Sequence, residues 1–325
     1  MTQQQRTQEA IMKVLVTGAT GAVGSRLVPQ LVEAGHTVVA ATTSEARTAR
    51  LREAGAEPIV LDVLDTAAVR DAVRRARPDV IIHQATALAG NLKLRKVDRD
   101  FAVTNQLRTK GTQNLLTAAA EYGVRRFVVQ SAMQVLYART GGPVKAEEDP
   151  LDTHPAPGSE QTLAAIRFLE RAVTSTPGVD GIVLRYGGFY GPGTSIAPGG
   201  EQLELVRKRQ FPVVGGGGGV WSFIHVEDAA GAAVAAAEGG APGIYNIVDD
   251  EPAPLAEWLP ALAAAVGARK PMSVPRWLGR LLAGEFIVRA STEIRGASNA
   301  KARKELGWTP RYASWRQGFA ELGRS

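Results

Sequence analysis

Residues 17–24 read Thr17-Gly18-Ala19-Thr20-Gly21-Ala22-Val23-Gly24, three glycines in the spacing G-x-x-G-x-x-G. Each glycine answers a separate steric demand. Gly18 allows a tight turn, Gly21 lets the backbone approach a pyrophosphate, and Gly24 lets a helix pack closely on a strand. The apolar Val14-Leu15-Val16 before the loop reads as that strand. The helix that follows offers free N–H groups and a positive dipole end to phosphates. This strand–loop–helix context predicts a nicotinamide dinucleotide site over Gly18, Ala19, Thr20, Gly21, Ala22, Val23 and Gly24. A ligand-free structural turn is the alternative.

The residue after the second strand reads the adenosine ribose, and an acid there favours NAD by accepting from the 2′-hydroxyl. This chain has Ala41-Thr42-Thr43-Ser44, with no acid. The hydroxyls of Thr42, Thr43 and Ser44 can donate to a 2′-phosphate, and Arg47 or Arg50 can add charge. The expected cofactor is NADP or NAD, with NADP slightly favoured. Asp62, followed by Val63 after the third strand, can accept from the adenine amine; a helix N-cap is the competing reading.

Other chemistry is thinly represented. There are no cysteines, which excludes disulfides, thiolate metal sites and a thiol nucleophile. The four histidines, His36, His83, His154 and His225, are scattered without metal-ligand spacing, so no metal site is expected. The net charge of +6 is spread along the chain, with no basic run interleaved with aromatics, so no nucleic-acid partner is expected. No apolar stretch reaches about 18 residues, so no membrane span is expected. Residues 1–11 are polar and Gln-rich and read as a flexible leader. A cytoplasmic protein acting on a small molecule is the resulting expectation.

The elements that must position the glycine loop alternate. Strands are predicted at 13–17, 37–41, 58–61, 79–83, 126–130 and 181–185. Helices are predicted at 22–34, 44–54, 66–76, 98–122 and 161–174. Apolar strands separated by helices specify an α/β fold: a doubly wound parallel sheet, the Rossmann fold, with both faces covered. After Arg185 the pattern becomes Gly- and Pro-rich, with a helix at 202–209 and strands at 222–228 and 243–248. The division expected is a Rossmann domain at 12–186 plus 222–250 and a smaller, substrate-binding C-terminal cap at 187–221 plus 251–325.

Several ordered motifs carry a family resemblance from Lys13 to about Gly318. Besides the glycine loop they are Val80-Ile81-Ile82-His83-Gln84-Ala85, Gly111-Thr112-Gln113-Asn114-Leu115-Leu116, Arg185-Tyr186-Gly187-Gly188-Phe189-Tyr190-Gly191-Pro192-Gly193, Phe223-Ile224-His225-Val226-Glu227-Asp228, Tyr245-Asn246-Ile247-Val248 and Leu306-Gly307-Trp308-Thr309-Pro310. The chain resembles the extended, here atypical, short-chain dehydrogenases/reductases of the NAD-dependent epimerase/dehydratase family. The resemblance extends the cofactor site to Gln84, Ala85, Thr86 and Tyr186. It leaves room for a homodimer built on the long helices.

The resemblance also implies a Tyr-x-x-x-Lys pair on the helix after the fifth strand. A phenol titrates near pKa ~10, and a lysine one turn later lowers that value so that the phenolate can take a substrate proton. Aligning the family's glutamate on Glu170 puts Thr162 at the tyrosine and Ile166 at the lysine. Neither can serve. The family's hydroxyl after the fifth strand falls on Ala132 or Met133, with Ser131 adjacent. Tyr137 and Ser131 are therefore the candidate catalytic residues, Tyr137 alternatively being a pocket-wall aromatic. Trp221 stands where nucleotide-sugar members typically hold a diphosphate-binding arginine, and Trp221 and Tyr190 are expected to contact substrate. His225 is expected to be a hydrogen-bonded structural residue, His83 to lie buried under the cofactor, and 147–149 to be a solvated acidic turn. The function expected is an NAD(P)-dependent oxidoreductase or epimerase on a small carbonyl or alcohol, with non-standard proton-transfer groups. The alternatives are a non-catalytic NAD(P) sensor and, less favoured, a nucleotide-sugar epimerase.

Overall fold

A computed structural model describes residues 11–88, 97–133 and 136–323. All of the expected leader except Ile11 falls outside the described residues. The first half alternates β1 (Lys13–Thr17), α1 (Gly24–Glu33), β2 (Thr37–Thr42), α2 (Thr48–Glu53), β3 (Glu57–Val60), α3 (Thr66–Ala76) and β4 (Val80–His83). After α4 (Val97–Asp100), α5 (Ala102–Gln106) and α6 (Thr112–Glu121) come β5 (Arg126–Ala132), the short β6 (Val144–Lys145), α7 (Glu160–Ser175) and β7 (Asp180–Tyr186). One seven-stranded sheet forms, in the order Gly243–Ile247, β7, β5, β4, β1, β2, β3. Every pairing in it is parallel.

The strands are apolar because both faces are covered. Val14, Val16, Val38, Val80 and Ile82 face α1 and the helix Val226–Glu238. The alternate residues Leu15, Val39, Ile81, Phe127 and Val129 face α3, α6 and α7. A third cluster, built on Trp258, Trp315, Phe223, Phe319 and Tyr190, lies within the C-terminal half. Leu306 and Trp308 leave that half to join the first cluster, where the indole of Trp308 donates to the carbonyl of Asp228 at 3.1 Å. Among the described residues no helix is long and apolar enough to cross a membrane.

Two local expectations are corrected. The helix expected over 98–122 is broken into α4, α5, a π-type turn over Leu107–Gly111, and α6. The turn diverts the carbonyl of Leu107, which accepts from Thr112 Oγ1 and lies within reach of His83 Nε2, each at 3.4 Å. The strand expected over 222–228 ends at His225. There the ring Nδ1 accepts from the N–H of Glu227 at 3.2 Å, a side-chain cap that starts the helix Val226–Glu238.

Candidate active site

The glycine loop follows β1, residues 42–44 close β2, Asp62 follows β3, Gln84 follows β4 and Ala132 ends β5. All therefore gather at the carboxyl edge of the sheet. The strand order reverses direction between β1 and β4, the switch point at which open α/β sheets bind ligands. Gly18 has φ +73°, and a Cβ on it would lie 2.6 Å from the nitrogen of Ala85. A Cβ on Gly24 would collide with the carbonyl of Gly18 and the backbone of Ala19. Gly21 differs: a Cβ there would meet only Gly18 O at 3.3 Å, and the residue is exposed. Gly18 and Gly24 thus fix the loop, and Gly21 leaves its outer side open. Around them Ala19 and Val23 are buried, while Thr20 and Ala22 are half-buried. These residues fit a dinucleotide pyrophosphate, and the residues after β2 and β3 fit its adenosine end.

At that adenosine end Thr42 is buried and its Oγ1 accepts from Ser44 N at 3.2 Å, whereas Thr43 is exposed. Arg47 reaches back over the loop and donates to Thr20 Oγ1 at 3.4 Å. Asp62 is exposed, and its Oδ1 accepts from Leu64 N at 2.9 Å. The N-cap reading of Asp62 falls, because Asp65 caps α3 by accepting from Ala67 N and Ala68 N. Val63 is buried behind it. Ala85 and Thr86 are half-buried after β4. Gln84 is buried, with Nε2 donating to Tyr186 Oη at 3.4 Å and Oε1 lacking any partner. Tyr186 is itself buried in the core, donating to Ala229 O at 3.1 Å. His83 sits beneath, its Nδ1 2.7 Å from Thr17 Oγ1; burial pushes its pKa down to about 4, so the ring is neutral.

A cavity opens beyond the end of β5. Ala132, Tyr137, Thr162, Leu163 and Ile166 form one side. Val97, Phe101 and Arg108 form another, and Phe286, Arg289 and Ile294 close it from the C-terminal half. Thr162 and Ile166, one helical turn apart on α7, thus share the cavity face, as the alignment on Glu170 requires. The hydroxyl of Thr162 donates to Asp98 Oδ1 at 2.8 Å and accepts from Asn105 Nδ2 at 3.1 Å. Asp98 also takes the backbone N–H of Thr162, which ties α4 to the start of α7. The loop carrying His154 contributes Pro155 and Ala156 to the cavity wall. It is held there because the carbonyl of His154 accepts from Arg139 and Arg289.

The two candidate proton donors end up in one buried network. Ser131, Arg185 and Asn246 are register neighbours across three strands, on the face covered by α7. Ser131 Oγ donates to Glu170 Oε1 at 2.8 Å. Arg185 donates to both oxygens of Glu170, at 2.8 and 2.7 Å, and to Tyr137 Oη at 2.9 Å. Tyr137 in turn donates to Asn246 Oδ1 at 2.7 Å. Burial alone would lower the Arg185 pKa, but the bidentate bonds from Glu170 outweigh it and raise it. Burial raises Tyr137, opposed by the neighbouring Arg185. Tyr137 lines the cavity; the Ser131 hydroxyl is spent on Glu170 beneath the helix. Glu147, expected as part of a solvated turn, instead accepts the N–H of Asn246 at 2.7 Å and is half-buried.

The remaining expected site residues lie elsewhere. Tyr190 is fully buried among Phe223, His225, Tyr312 and Phe319, and its hydroxyl has no partner. Trp221 stacks on Phe223 and donates its indole N–H to Ala290 O at 2.9 Å, anchoring the segment that brings Arg289 to the cavity. Neither Tyr190 nor Trp221 is in the cavity lining. Sequence reasoning missed Arg108. Its signal was a charge at helical spacing between Thr104 and Leu115, both buried.

Residues 14–248 match the model of the NAD-dependent epimerase/dehydratase family. A 3-diazoavenalumate denitrifying reductase from a Streptomyces species is 45% identical over 316 residues, spanning 96% of this chain and 100% of that protein. A 4-hydroxy-2-methyl-3-oxo-4-farnesyl-3,4-dihydroquinoline-1-oxide ketoreductase from Stigmatella aurantiaca is 29% identical over 96% of both chains. The crystal structure of UDP-glucose 4-epimerase from Thermus thermophilus in complex with NAD is similar with a TM-score of 0.72 at 26% identity, covering 96% of this chain and 98% of that one.

Proposed function

The chain belongs to the NAD-dependent epimerase/dehydratase family and is an NAD(P)-dependent enzyme of the short-chain dehydrogenase superfamily; from that premise we propose that it is a reductase acting on a diazo-substituted carboxylate. The observation that carries this reading is the cavity face of α7. Thr162 and Ile166 line it, and the alignment on Glu170 puts them at the positions of the family's tyrosine and lysine. Reducing a ketone leaves an alkoxide that must be protonated. Replacing an aryl diazo substituent in its cationic diazonium form by hydride does not: the hydride pair forms the C–H bond and N₂ leaves with the C–N pair, so the reacting carbon needs no proton. A nicotinamide bound at the glycine loop would supply that hydride. The protein's own task is then to hold the substrate and exclude water, which an apolar wall of Ala132, Leu163 and Ile166 suits. The 45% identity to a denitrifying reductase supports the same chemistry.

Cofactor choice follows from residues 42–47. With no acid after β2, and with Arg47 folded over Thr20, NADP is the proposed partner in preference to NAD. Residues 12–186 with 222–250 serve the cofactor, and 187–221 with 251–325 form the cap. Trp221, held in the aromatic cluster, leaves no cation at the position that would meet a nucleotide-sugar diphosphate.

The test is turnover of 3-diazoavenalumate with reduced cofactor deuterated at the nicotinamide C4. Equal consumption of cofactor and loss of N₂, with deuterium retained on carbon, is expected. Oxidation of the cofactor by ketones but not by the diazo compound would overturn the reading. A second reading, ketone reduction, is favoured by one observation: Tyr137 lines the cavity with a cation bonded to its hydroxyl, and a relative is a ketoreductase. There Tyr137 would be the proton donor.

A further inference from the structure

Arg108 is 5% exposed and lines the cavity. Its Nη1 is buried without a hydrogen-bond partner. The side chain lies over the ring of Phe101, whose centroid is 5.9 Å from the guanidinium carbon, and it feels the charge of Glu170 without bonding to it. Among the described residues it makes no ion pair, and the acid whose charge it feels is taken, because Glu170 spends both oxygens on Arg185 and one also on Ser131. The other cavity arginines are engaged. Arg139 pairs with Asp152 and Glu293, and Arg289 pairs with Glu285 and donates to the carbonyl of His154.

A buried charge without an ion-pair partner is unfavourable, and among the described residues none forms a salt bridge with this one. Burial lowers its pKa to about 10, which still leaves it a cation at neutral pH. Arg108 sits in the π-type turn over Leu107–Gly111, and such turns recur at functional sites. We infer that Arg108 is the anchor for the carboxylate of the substrate, pairing with it through the planar fork of its guanidinium in the otherwise apolar inner wall. One cation without a second donor cluster matches a monoanion better than a phosphoryl dianion. The inference rests on reading this cavity as the substrate site. It also sets the pose, with the carboxylate at the α5–α6 side and the reacting end toward Ala132 and Tyr137.

The test uses the full chain saturated with NADP, with 4-hydroxycinnamate and its neutral amide as calorimetric probes. The wild type is expected to bind the carboxylate at least ~10-fold more tightly than the amide, the scale of a charge-assisted hydrogen bond. Arg108→Met is expected to weaken the carboxylate about 10- to 100-fold and leave the amide within about 3-fold. Arg108→Lys should restore part of the preference. A group held only for structure would lower Tm on removal; here Tm of Arg108→Met should hold or rise, since an unpaired buried charge is lost. A carboxylate preference that survives in Arg108→Met overturns the inference, as does a wild type that binds neither probe or does not discriminate. A parallel loss of NADP affinity also overturns it, by assigning Arg108 to the cofactor. Binding and turnover fail separately: if the preference tracks Arg108 but the diazo compound is inert, the anchor stands and the proposed reaction falls.

Discussion

Nη1 of Arg185 donates to the phenol oxygen of Tyr137 at 2.9 Å, and the same guanidinium lies 5.3 Å from the centre of the Tyr137 ring. A cation is therefore placed on the phenol of a residue that lines the cavity, although no lysine follows on α7. The phenol proton is directed to Asn246, and Arg185 is pinned by Glu170. Tyr137 can act as a strut between strands, or as a proton donor whose charge partner has moved from the helix to β7.

Kinetics of Tyr137→Phe and Thr162→Val separate these roles. With a ketone substrate, Tyr137→Phe is expected to lower kcat by ~10²-fold, the usual size of a general acid contribution. With the diazo substrate it should stay within a few-fold, because no proton is required. Thr162→Val should stay within a few-fold for both, since its hydroxyl is committed to Asp98. A large Thr162→Val effect on kcat would show that the α7 face takes part in chemistry.

Two glycine substitutions should fail differently. Gly21→Val leaves the fold intact and abolishes NADP binding in calorimetry, because its side chain projects into open space over the loop. Gly24→Ala lowers Tm, because its Cβ collides with the Gly18 carbonyl. Equal thermal stability of the two variants would contradict this assignment.

Arg47→Glu is expected to weaken NADP by about tenfold or more while changing NAD by less than about threefold, the effect of one charge-assisted contact to a 2′-phosphate. Fluorescence titration with both cofactors decides it. An equal loss for both would place Arg47 on the pyrophosphate instead.

Stability should peak near pH 6.5. Burial pushes His83 and His225 down to about 4, so below 6.5 the unfolded chain binds two protons that the fold refuses, and stability falls with pH. Burial pushes Asp249 up to about 8, so the fold keeps one proton that an unfolded carboxyl has released. That contribution is full at low pH and is lost as pH rises through 8. From pH 5.5 to 6.5 the unfolded histidines hold about 1.5 protons on average against the one kept by Asp249, and stability rises by about 0.7 kcal/mol. From 6.5 to 8 only Asp249 acts, and stability declines. Asp249→Asn should flatten the decline in a series of thermal melts; an unchanged slope would refute it.

Glu170→Gln is expected to cost about 3–5 kcal/mol in denaturant unfolding, because it leaves Arg185 charged and buried with its partner lost. A cost under about 1 kcal/mol would show the pair to be dispensable, as exposed pairs are.

The glycine spacing, the alternation of apolar strands with helices and the missing acid after β2 were all legible in the chain. Each is a local pattern with a local cause: backbone room at Gly18 and Gly24, burial on two faces, a charge at a strand end. Counting back from Glu170 assigns Thr162 and Ile166 to the tyrosine and lysine positions, a reading that rests on the resemblance. What could not be read was where the other polar side chains go. Ser131 and Tyr137 are six residues apart, yet one is spent on Glu170 and the other meets the cavity, because β5 registers Ser131 against Arg185 while Tyr137 returns over Asn246. Arg108 fell inside the helix expected over 98–122 and was not singled out. Only the packing of the π-type turn against α7 and Phe101 shows it buried without a partner, since burial belongs to the assembled elements and not to any one of them.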